Sequence, residues 1–185
     1  MAHQFTTSYV KDSIDLFRYY KKLAERAMAQ CPDEGLFVTL DPESNSIAIV
    51  VKHMAGNMRS RWMDFLTTDG EKPDRNRDTE FEDAPKTRAE LLELWESGWK
   101  YLFDALTPLT DADLTRSVPI RTEPHSVMQA INRQVAHYAH HIGQIVFLAK
   151  HLTTKATGKW DSLSVPRGQS KQFTAEVAAG RKSQR

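Results

Sequence analysis

The sequence has few features that would direct the protein to a membrane, to nucleic acid or to an oxidising compartment. It has 185 residues and one cysteine, Cys31, so it cannot form an internal disulfide, which fits a reducing cytosol. It has no apolar run long enough to span a bilayer, and its N-terminus lacks a secretory-signal pattern. The 25 basic and 24 acidic residues nearly cancel, which argues against nucleic acid or a membrane surface as a partner. We therefore expect a cytoplasmic protein that acts on a small molecule.

Several catalytic motifs are also missing. The chain has no glycine-rich phosphate loop and no G-x-S-x-G pattern around a nucleophilic serine. The zinc-peptidase pattern H-E-x-x-H is absent, because Tyr138 follows the histidine at position 137 and residues 126–152 contain no glutamate. No stretch alternates apolar and polar residues with period two, which predicts little or no sheet.

Four stretches repeat apolar residues every three or four positions, as amphipathic helices do. They cover approximately residues 7–30, 45–66, 87–106 and 126–152. The third begins with a capping-box pattern, TRAE, in which Thr87 stands three residues before a glutamate. Four such helices without a sheet predict an all-α fold, namely a four-helix bundle.

Two polar stretches interrupt or follow the predicted helices. Residues 67–86 are charged and poorly periodic, and loops of this length in compact domains are often functional or mobile. The chain is polar again from residue 153 onward, and chain ends of this kind are often poorly ordered. We assign residues 1–170 to the bundle and residues 171–185 to an irregular, flexible C-terminal tail.

The segment HYAHHIGQ, residues 137–144, places three histidines in the last predicted long helix. Residues four apart share a helix face, so His137 and His141 can direct ring nitrogens at one ion, while His140 points to solvent. Two histidines leave a zinc-type ion incompletely ligated, and His53 lies on the same kind of edge of the second helix. The alternative is that these are ordinary hydrogen-bonded histidines without a metal.

Other polar side chains fall near the same helix edges. Asn57, Gln134 and Gln144 are candidates for orienting a ligand or a substrate. Arg61 is a candidate for binding a substrate anion, and an ordinary ion pair is the alternative. Asp64 is a distant candidate for a carboxylate that supports a metal ligand. Because no protein nucleophile stands beside the histidine pair, the nucleophile would be a water or a thiolate on the metal.

A single histidine in the second helix and an H-x3-H pattern in the last long helix occur in HMAGNMRSRWMDFLTTDGEKPDRNRD and NRQVAHYAHHIGQIVFLAKHL. In these segments the sequence resembles the DinB/YfiT-like metalloenzyme superfamily, and more specifically a subgroup of unknown function, over about residues 5–170. The resemblance implies a four-helix bundle, often dimeric, in which His53, His137 and His141 hold a divalent metal, usually zinc or nickel. Activities in the wider family are thiol transfer with low-molecular-weight thiols and thiol-dependent isomerisation.

Three functional hypotheses follow. The leading one is a metal-dependent enzyme that acts on small molecules, either as a thiol-dependent transferase or as a hydrolase, and that forms a homodimer. The second is a non-catalytic metal-binding or stress-related helical bundle in which the ion is a structural clip. The third is an interaction bundle that binds no metal.

Overall fold

The computed structural model describes residues 7–183, and helices account for most of that part of the chain. The α-helices are α1 Tyr9–Gln30, α2 Ile47–Trp62, α3 Arg88–Leu106, α4 Val127–Thr157 and α5 Ser170–Ala178. A hairpin of β1 Ser117–Ile120 and β2 Glu123–Ser126 precedes α4. Short 3-10 turns lie at Glu34–Phe37, Asp78–Phe81 and Asp111–Thr115.

The four long helices occupy the stretches that the periodicity predicts, with shifted ends. Each begins after a hydroxyl side chain that accepts a hydrogen bond from a backbone N–H of its first turn, and these residues are Ser8, Ser46, Thr87 and Ser126. Helix α2 ends four residues before the predicted position 66, and Asp64 beyond it has a positive φ of 49°. Helix α4 extends beyond the predicted position 152 and ends at Thr157, and the capping residue Gly158 has a left-handed φ of 71°.

One aromatic ring from each long helix meets at the centre of the core. The ring centroid of Phe17 on α1 lies 6.4 Å from those of Trp62 on α2 and Trp99 on α3, and 5.7 Å from that of Tyr138 on α4. All four side chains are almost completely buried. Aromatic residues contribute large buried areas and prefer tilted contacts of this kind, so the cluster joins the four helices into one core.

The hairpin departs from the predicted all-α fold. Its strands are four residues long, and Pro119 pairs with Pro124 in the register. The two residues of the turn, Arg121 and Thr122, have φ values of 54° and 67°, as a two-residue turn that follows the strand twist requires. The sequence at this turn has neither glycine nor asparagine, and prolines within strands weaken the strand signal. The sequence of these two strands and their turn is therefore too short and too atypical to predict a hairpin.

The C-terminal tail also departs from the prediction of irregular structure. Helix α5 covers Ser170–Ala178 with no residue buried. Lys182 forms an ion pair with Glu176 and lies 5.7 Å from the ring centroid of Phe173. Local contacts of this kind stabilise a short helix without a hydrophobic core, which periodicity alone does not reveal.

Hydrogen bonds hold the charged loop 67–86 against α2. The Lys52 ammonium donates to the carbonyl oxygens of Thr79 at 2.7 Å and Glu82 at 2.6 Å. Near the other end of the loop, the Ser60 hydroxyl donates to the Gly70 carbonyl at 2.8 Å. Both ends of the loop are therefore fixed to the same helix.

The loop in turn holds the hairpin. The Asp69 carboxylate accepts hydrogen bonds from the backbone N–H groups of Arg121 at 2.8 Å and Thr122 at 2.7 Å. The Gly70 N–H donates to the Pro119 carbonyl at 2.8 Å. Loop, hairpin turn and α2 thus form one hydrogen-bonded unit.

Within residues 7–183, no helix combines the length and the apolar character that a membrane crossing requires.

Gly98 marks the closest approach of α3 to α2, and it gives the first testable prediction. A Cβ atom at Gly98 would lie 2.9 Å from the Cα of Ala55, so we expect Gly98→Ala to lower the free energy of unfolding by about 1–3 kcal/mol. The matched control is Gly143→Ala on α4, where a Cβ would meet nothing within 4 Å. That variant should be neutral or stabilising, by up to about 1 kcal/mol, because alanine is the better helix former. Chemical denaturation measures both, and equal effects would contradict the packing argument.

Candidate metal centre

Three histidines from two helices converge between α2 and α4. The Nε2 atom of His137 lies 3.3 Å from Nε2 of His53 and 3.1 Å from Nε2 of His141. One ligand nitrogen from each residue lies within 4.8 Å of the other two. The side chain of His53 is buried, and the other two are partly buried. The structure therefore brings together the three histidines predicted from the sequence, while His140 is exposed on the outer side of α4.

The hydrogen bond to Glu80 sets the tautomer of His53. Nδ1 of His53 lies 2.8 Å from Oε2 of Glu80, and both side chains are buried. Burial opposes ionisation of Glu80, but hydrogen bonds from His53 and Arg75 outweigh it and lower the pKa of the carboxyl. An ionised carboxylate only accepts hydrogen bonds, so Nδ1 of His53 carries a proton, and in the neutral ring this arrangement leaves the Nε2 lone pair to bind a metal.

His141 has the same arrangement with a neutral partner. Its Nδ1 donates to Oε1 of Gln144 at 2.8 Å, so its Nε2 also presents a lone pair. Both lone pairs point towards Nε2 of His137, which has at most one proton to donate. Hydrogen bonding among the three rings therefore leaves at least one lone pair unmatched, and a cation would satisfy it.

The distances from Nε2 of His137 to the other two ligand nitrogens fit a tetrahedral ion. Metal–nitrogen bonds of about 2.0–2.1 Å at tetrahedral angles place ligand nitrogens about 3.3–3.4 Å apart. The distances of 3.3 Å and 3.1 Å from His137 to the other two histidines are close to that value. Three neutral imidazoles are a donor set that zinc and nickel accept. The residues present therefore fit a divalent metal.

Burial keeps two of the imidazoles neutral. Desolvation, together with the neighbouring His141 and His53, lowers the pKa of His137 from its usual range to about 3. Desolvation likewise lowers the pKa of His141 to about 4, although the hydrogen bond to Gln144 opposes the shift. At neutral pH both rings are in the unprotonated form that metal binding requires.

An alternating chain of charges runs from Glu80, the partner of His53, through the charged loop. The Arg75 guanidinium donates to both oxygens of Glu80, at 2.8 Å and 2.9 Å, and to Glu71 at 3.2 Å. Glu71 also accepts from Arg61 at 3.1 Å and from Arg121 at 3.1 Å. Each buried charge in this chain has an opposite charge beside it, which burial of an ion requires. The loop 67–86 thus supplies the groups that orient His53.

Gly56 leaves the space that Glu80 occupies. It lies one turn from His53 on α2, and a Cβ atom there would come within 2.8 Å of Cδ of Glu80 and closer still to its Oε1. Real Cβ atoms do not approach other atoms this closely. The glycine therefore allows the carboxylate to reach the histidine.

Aromatic stacking covers the other side of His53. Its ring lies 4.7 Å from that of Phe81, with 27° between the planes. The Arg77 guanidinium also lies over the Phe81 ring, 5.1 Å from its centroid. His53 is thereby fixed by a hydrogen bond at one nitrogen and by a ring contact on its face.

Tyr138 fixes the position of α4 relative to α2. Its hydroxyl donates to Oδ1 of Asn57 at 3.1 Å and accepts from Nε1 of Trp62 at 3.0 Å. Burial raises the pKa of the Tyr138 phenol, so it is a neutral donor at neutral pH. Because Asn57 lies one turn after His53 and Tyr138 follows His137, these bonds set the height at which the histidines meet.

A cleft of about 360 Å³ opens beside the histidines. Its lining residues are His53, Asn57, Arg61, Arg75, Arg77, Arg121, Arg133, Gln134 and His137. Three of the substrate-binding candidates predicted from the sequence, Asn57, Arg61 and Gln134, therefore line the cleft. The fourth, Gln144, does not line it and instead holds His141. Arg61 lies in the cleft wall, where its guanidinium contacts the Gly70 carbonyl and Glu71.

Sequence reasoning missed the residues that reach the site from outside the long helices. Glu80 and Arg75 lie in the charged loop, and Arg121 lies in the hairpin turn. The length and charge of the loop signalled a functional segment, but no local pattern singled out one glutamate among its acidic residues. Asp64, the predicted carboxylate, is instead exposed beyond the end of α2.

The fold is that of a DinB-like protein. A crystal structure of a DinB-like protein from Bacillus cereus ATCC 10987 is similar, with a TM-score of 0.61 over 80% of this chain and 94% of that chain. The two sequences are 17% identical, so the similarity shows the fold and nothing about the activity. None of the curated proteins matches the chain.

The family is defined more narrowly by sequence. Residues 4–169 match the family described as protein of unknown function DUF1572. The chain belongs to this family, which agrees with the resemblance to a DinB-like subgroup of unknown function.

The Glu80–His53 hydrogen bond gives the second prediction. Glu80→Gln removes the charge that fixes the tautomer of His53, so we expect zinc affinity to fall by at least about tenfold. Gly56→Ala should lower it in the same direction, because the added methyl displaces the carboxylate. Titration against a chromophoric chelator measures the affinity. The control is Glu82→Gln, an exposed position in the same loop, which should bind zinc as the wild type does. Unchanged zinc affinity in Glu80→Gln would show that this bond does not support a metal site.

Proposed function

We propose that the protein is a metal-dependent enzyme, built on a four-helix bundle, that acts on small molecules as a thiol-dependent transferase or as a hydrolase. The observation that supports this proposal is the meeting of three histidines beside an open cleft, with Nε2 of His137 3.3 Å and 3.1 Å from those of His53 and His141. The proposal includes zinc or nickel as the ion, the cytoplasm as the compartment and a homodimer as the assembly, all of which rest on the sequence and its resemblance.

A divalent ion held by His53, His137 and His141 would supply Lewis acidity and would activate a water or a small thiol as a nucleophile. Residues around the three histidines would orient these ligands and shield them from water. Glu80 and Gln144 hold the rings of His53 and His141 in the tautomers that direct Nε2 inward. The Phe81 ring covers one face of His53 and shields it from water.

The absence of a protein nucleophile favours an external one. Within residues 7–183, the only cysteine is Cys31, which is buried, and it is not among the residues that line the cleft. Burial raises the pKa of the Cys31 thiol, which makes it a poor nucleophile. Near the histidines, the buried carboxylate of Glu80 is already bonded to His53 and Arg75. A water or a low-molecular-weight thiol is therefore the nucleophile we propose.

Elemental analysis of freshly purified protein tests the metal, and a screen of small thiols with electrophilic substrates tests the reaction. Stoichiometric zinc or nickel together with thiol-dependent turnover would support the enzyme. A stoichiometric metal whose removal unfolds the protein, without turnover or thiol binding, would favour the structural clip instead. Absence of a metal, even after zinc and nickel are offered, would reject both the metal-dependent enzyme and the structural clip.

The histidines give the third prediction. His137→Ala and His141→Ala should each reduce zinc binding by at least about a hundredfold, because each leaves only two protein ligands. His140→Ala is the matched control, since His140 is the exposed neighbour in the same helix turn and should retain stoichiometric zinc. Equilibrium dialysis followed by elemental analysis measures all three. Loss of zinc in His140→Ala, with zinc retained in His137→Ala, would mean that a different set of residues holds the ion.

A further inference from the structure

The cleft beside the three histidines is lined by arginines from four separate elements. Helix α2 contributes Arg61, the charged loop Arg75 and Arg77, the hairpin turn Arg121, and helix α4 Arg133. These residues are distant along the chain, so their meeting at one cleft is produced by the fold and not by a basic run in the sequence.

The carboxylates near these arginines do not balance their charge. Glu71 is shared by Arg61, Arg75 and Arg121, while Glu80 pairs with Arg75. Asp69, which holds the hairpin turn, is a third carboxylate near Arg61, and that guanidinium helps to lower its pKa. Five guanidinium groups therefore face three carboxylates, which leaves an excess of two positive charges before any metal is bound. Such an excess at a concave surface attracts anions.

Two of the arginines have no acidic partner. In the part of the chain that the structure describes, neither Arg77 nor Arg133 forms an ion pair, although both line the cleft. The Arg77 guanidinium lies over the Phe81 ring, and Arg133 lies one turn before His137 on α4. Their donors are free to bind a ligand.

Buried polar atoms in the cleft wall also lack partners. Gln134 is 3% exposed, and its Oε1 has no hydrogen-bond partner among residues 7–183. The same is true of Nδ1 of His137, one turn further along α4. Buried polar atoms are normally satisfied, so these two indicate where a ligand's polar groups would sit. When His137 binds a metal through Nε2, its Nδ1 carries a proton and is a donor, while Gln134 Oε1 is an acceptor.

We propose that the substrate of this site is a small organic anion, with a carboxylate, phosphate or sulfonate group that Arg77 and Arg133 bind at the cleft. This inference rests on the proposed function and deepens it by naming the substrate class. The anionic group lies against the two unpaired guanidinium groups, which places the rest of the molecule towards the histidines. Arginine suits this role because its planar donors match the geometry of these anions. A cleft of about 360 Å³ is the size of a small-molecule site.

The strained hairpin turn supports the same assignment. Arg121 and Thr122 both adopt positive φ values, which non-glycine residues seldom do. The Asp69 carboxylate holds both of their backbone N–H groups and so stabilises this conformation. Strain maintained by surrounding contacts is frequent at functional sites, and here it keeps Arg121 at the cleft beside Glu71.

Calorimetric titration of zinc-loaded protein with inorganic phosphate tests this proposal and gives the fourth prediction. Phosphate at neutral pH has acceptors for the arginines and a donor for Gln134. We expect Arg77→Gln and Arg133→Gln each to raise the dissociation constant for phosphate by about fivefold or more, because each removes charge-assisted hydrogen bonds. Both positions are exposed, so the substitutions should leave the fold and the zinc content unchanged.

The control is Arg18→Gln, which removes the same charge from a side chain of α1 that is 62% exposed and is not part of the cleft. It should change phosphate binding by less than about twofold, since separated surface charges are screened by salt. If the control and the cleft variants weakened phosphate binding equally, the effect would come from net charge alone, and the proposal would be overturned. Failure of the wild type to bind phosphate at millimolar concentration would also overturn it.

The same titration on metal-free protein separates this proposal from the proposed function. Arginine-dependent phosphate binding by a protein that takes up no stoichiometric zinc or nickel, even when both are offered, would support the anion site and reject the metalloenzyme. Stoichiometric zinc in a wild type whose phosphate affinity does not depend on Arg77 or Arg133 would support the metal site and reject the anion site. The two proposals can therefore fail independently.

Discussion

The hydroxyl of Tyr138 connects α4 to α2 through two buried hydrogen bonds, and the geometry of the histidine cluster depends on this connection. Asn57 accepts from the phenol and Trp62 donates to it, so its donor and acceptor capacities are both used inside the core. A slip of either helix by one residue would break these bonds in a region without water to replace them, at a cost of about 1–3 kcal/mol for each orphaned group. The same slip would separate His53 from the pair on α4. Core packing and the candidate site are thus set by one contact between two helices.

Electrostatics organises the second layer around the cluster. A chain of alternating charges passes from Glu80 through Arg75 to Glu71 and ends at the arginines of the cleft. Glu80 therefore connects the histidine cluster to the arginines of the cleft. One of its oxygens accepts a hydrogen bond from the candidate ligand His53, and both accept hydrogen bonds from the guanidinium of Arg75. Ion pairs of this kind contribute little net stability when buried, and their value lies in fixing positions. A long charged loop can supply the residues of these ion pairs, because helices with apolar faces have few positions for buried charged residues.

The sequence revealed the long helices and the three histidines because both follow from local periodicity. The i,i+4 spacing of His137 and His141 and the edge position of His53 are properties of single helices, and helix packing then brings those edges together. The path of the loop was not predictable, because the meeting of Glu80 with His53 depends on tertiary contacts such as those made by Lys52. The hairpin was missed for a different reason, since its turn uses residues that ordinarily avoid positive φ and is stabilised from outside by a carboxylate. Local pattern thus identified the elements and the candidate ligands, while long-range hydrogen bonds determined what surrounds them.

The absence of a side chain at Gly56 has a consequence for how this family can vary. Side chains at positions 56 and 80 would compete for the same space beside His53, and in this protein Glu80 occupies it. A relative with alanine or serine at the first position would need a shorter residue at the second, or a displaced loop, and would then hold its histidine by another acceptor. The two positions should therefore change together over evolutionary time, and a designer who wished to alter the basicity of the imidazole would have to exchange them as a pair.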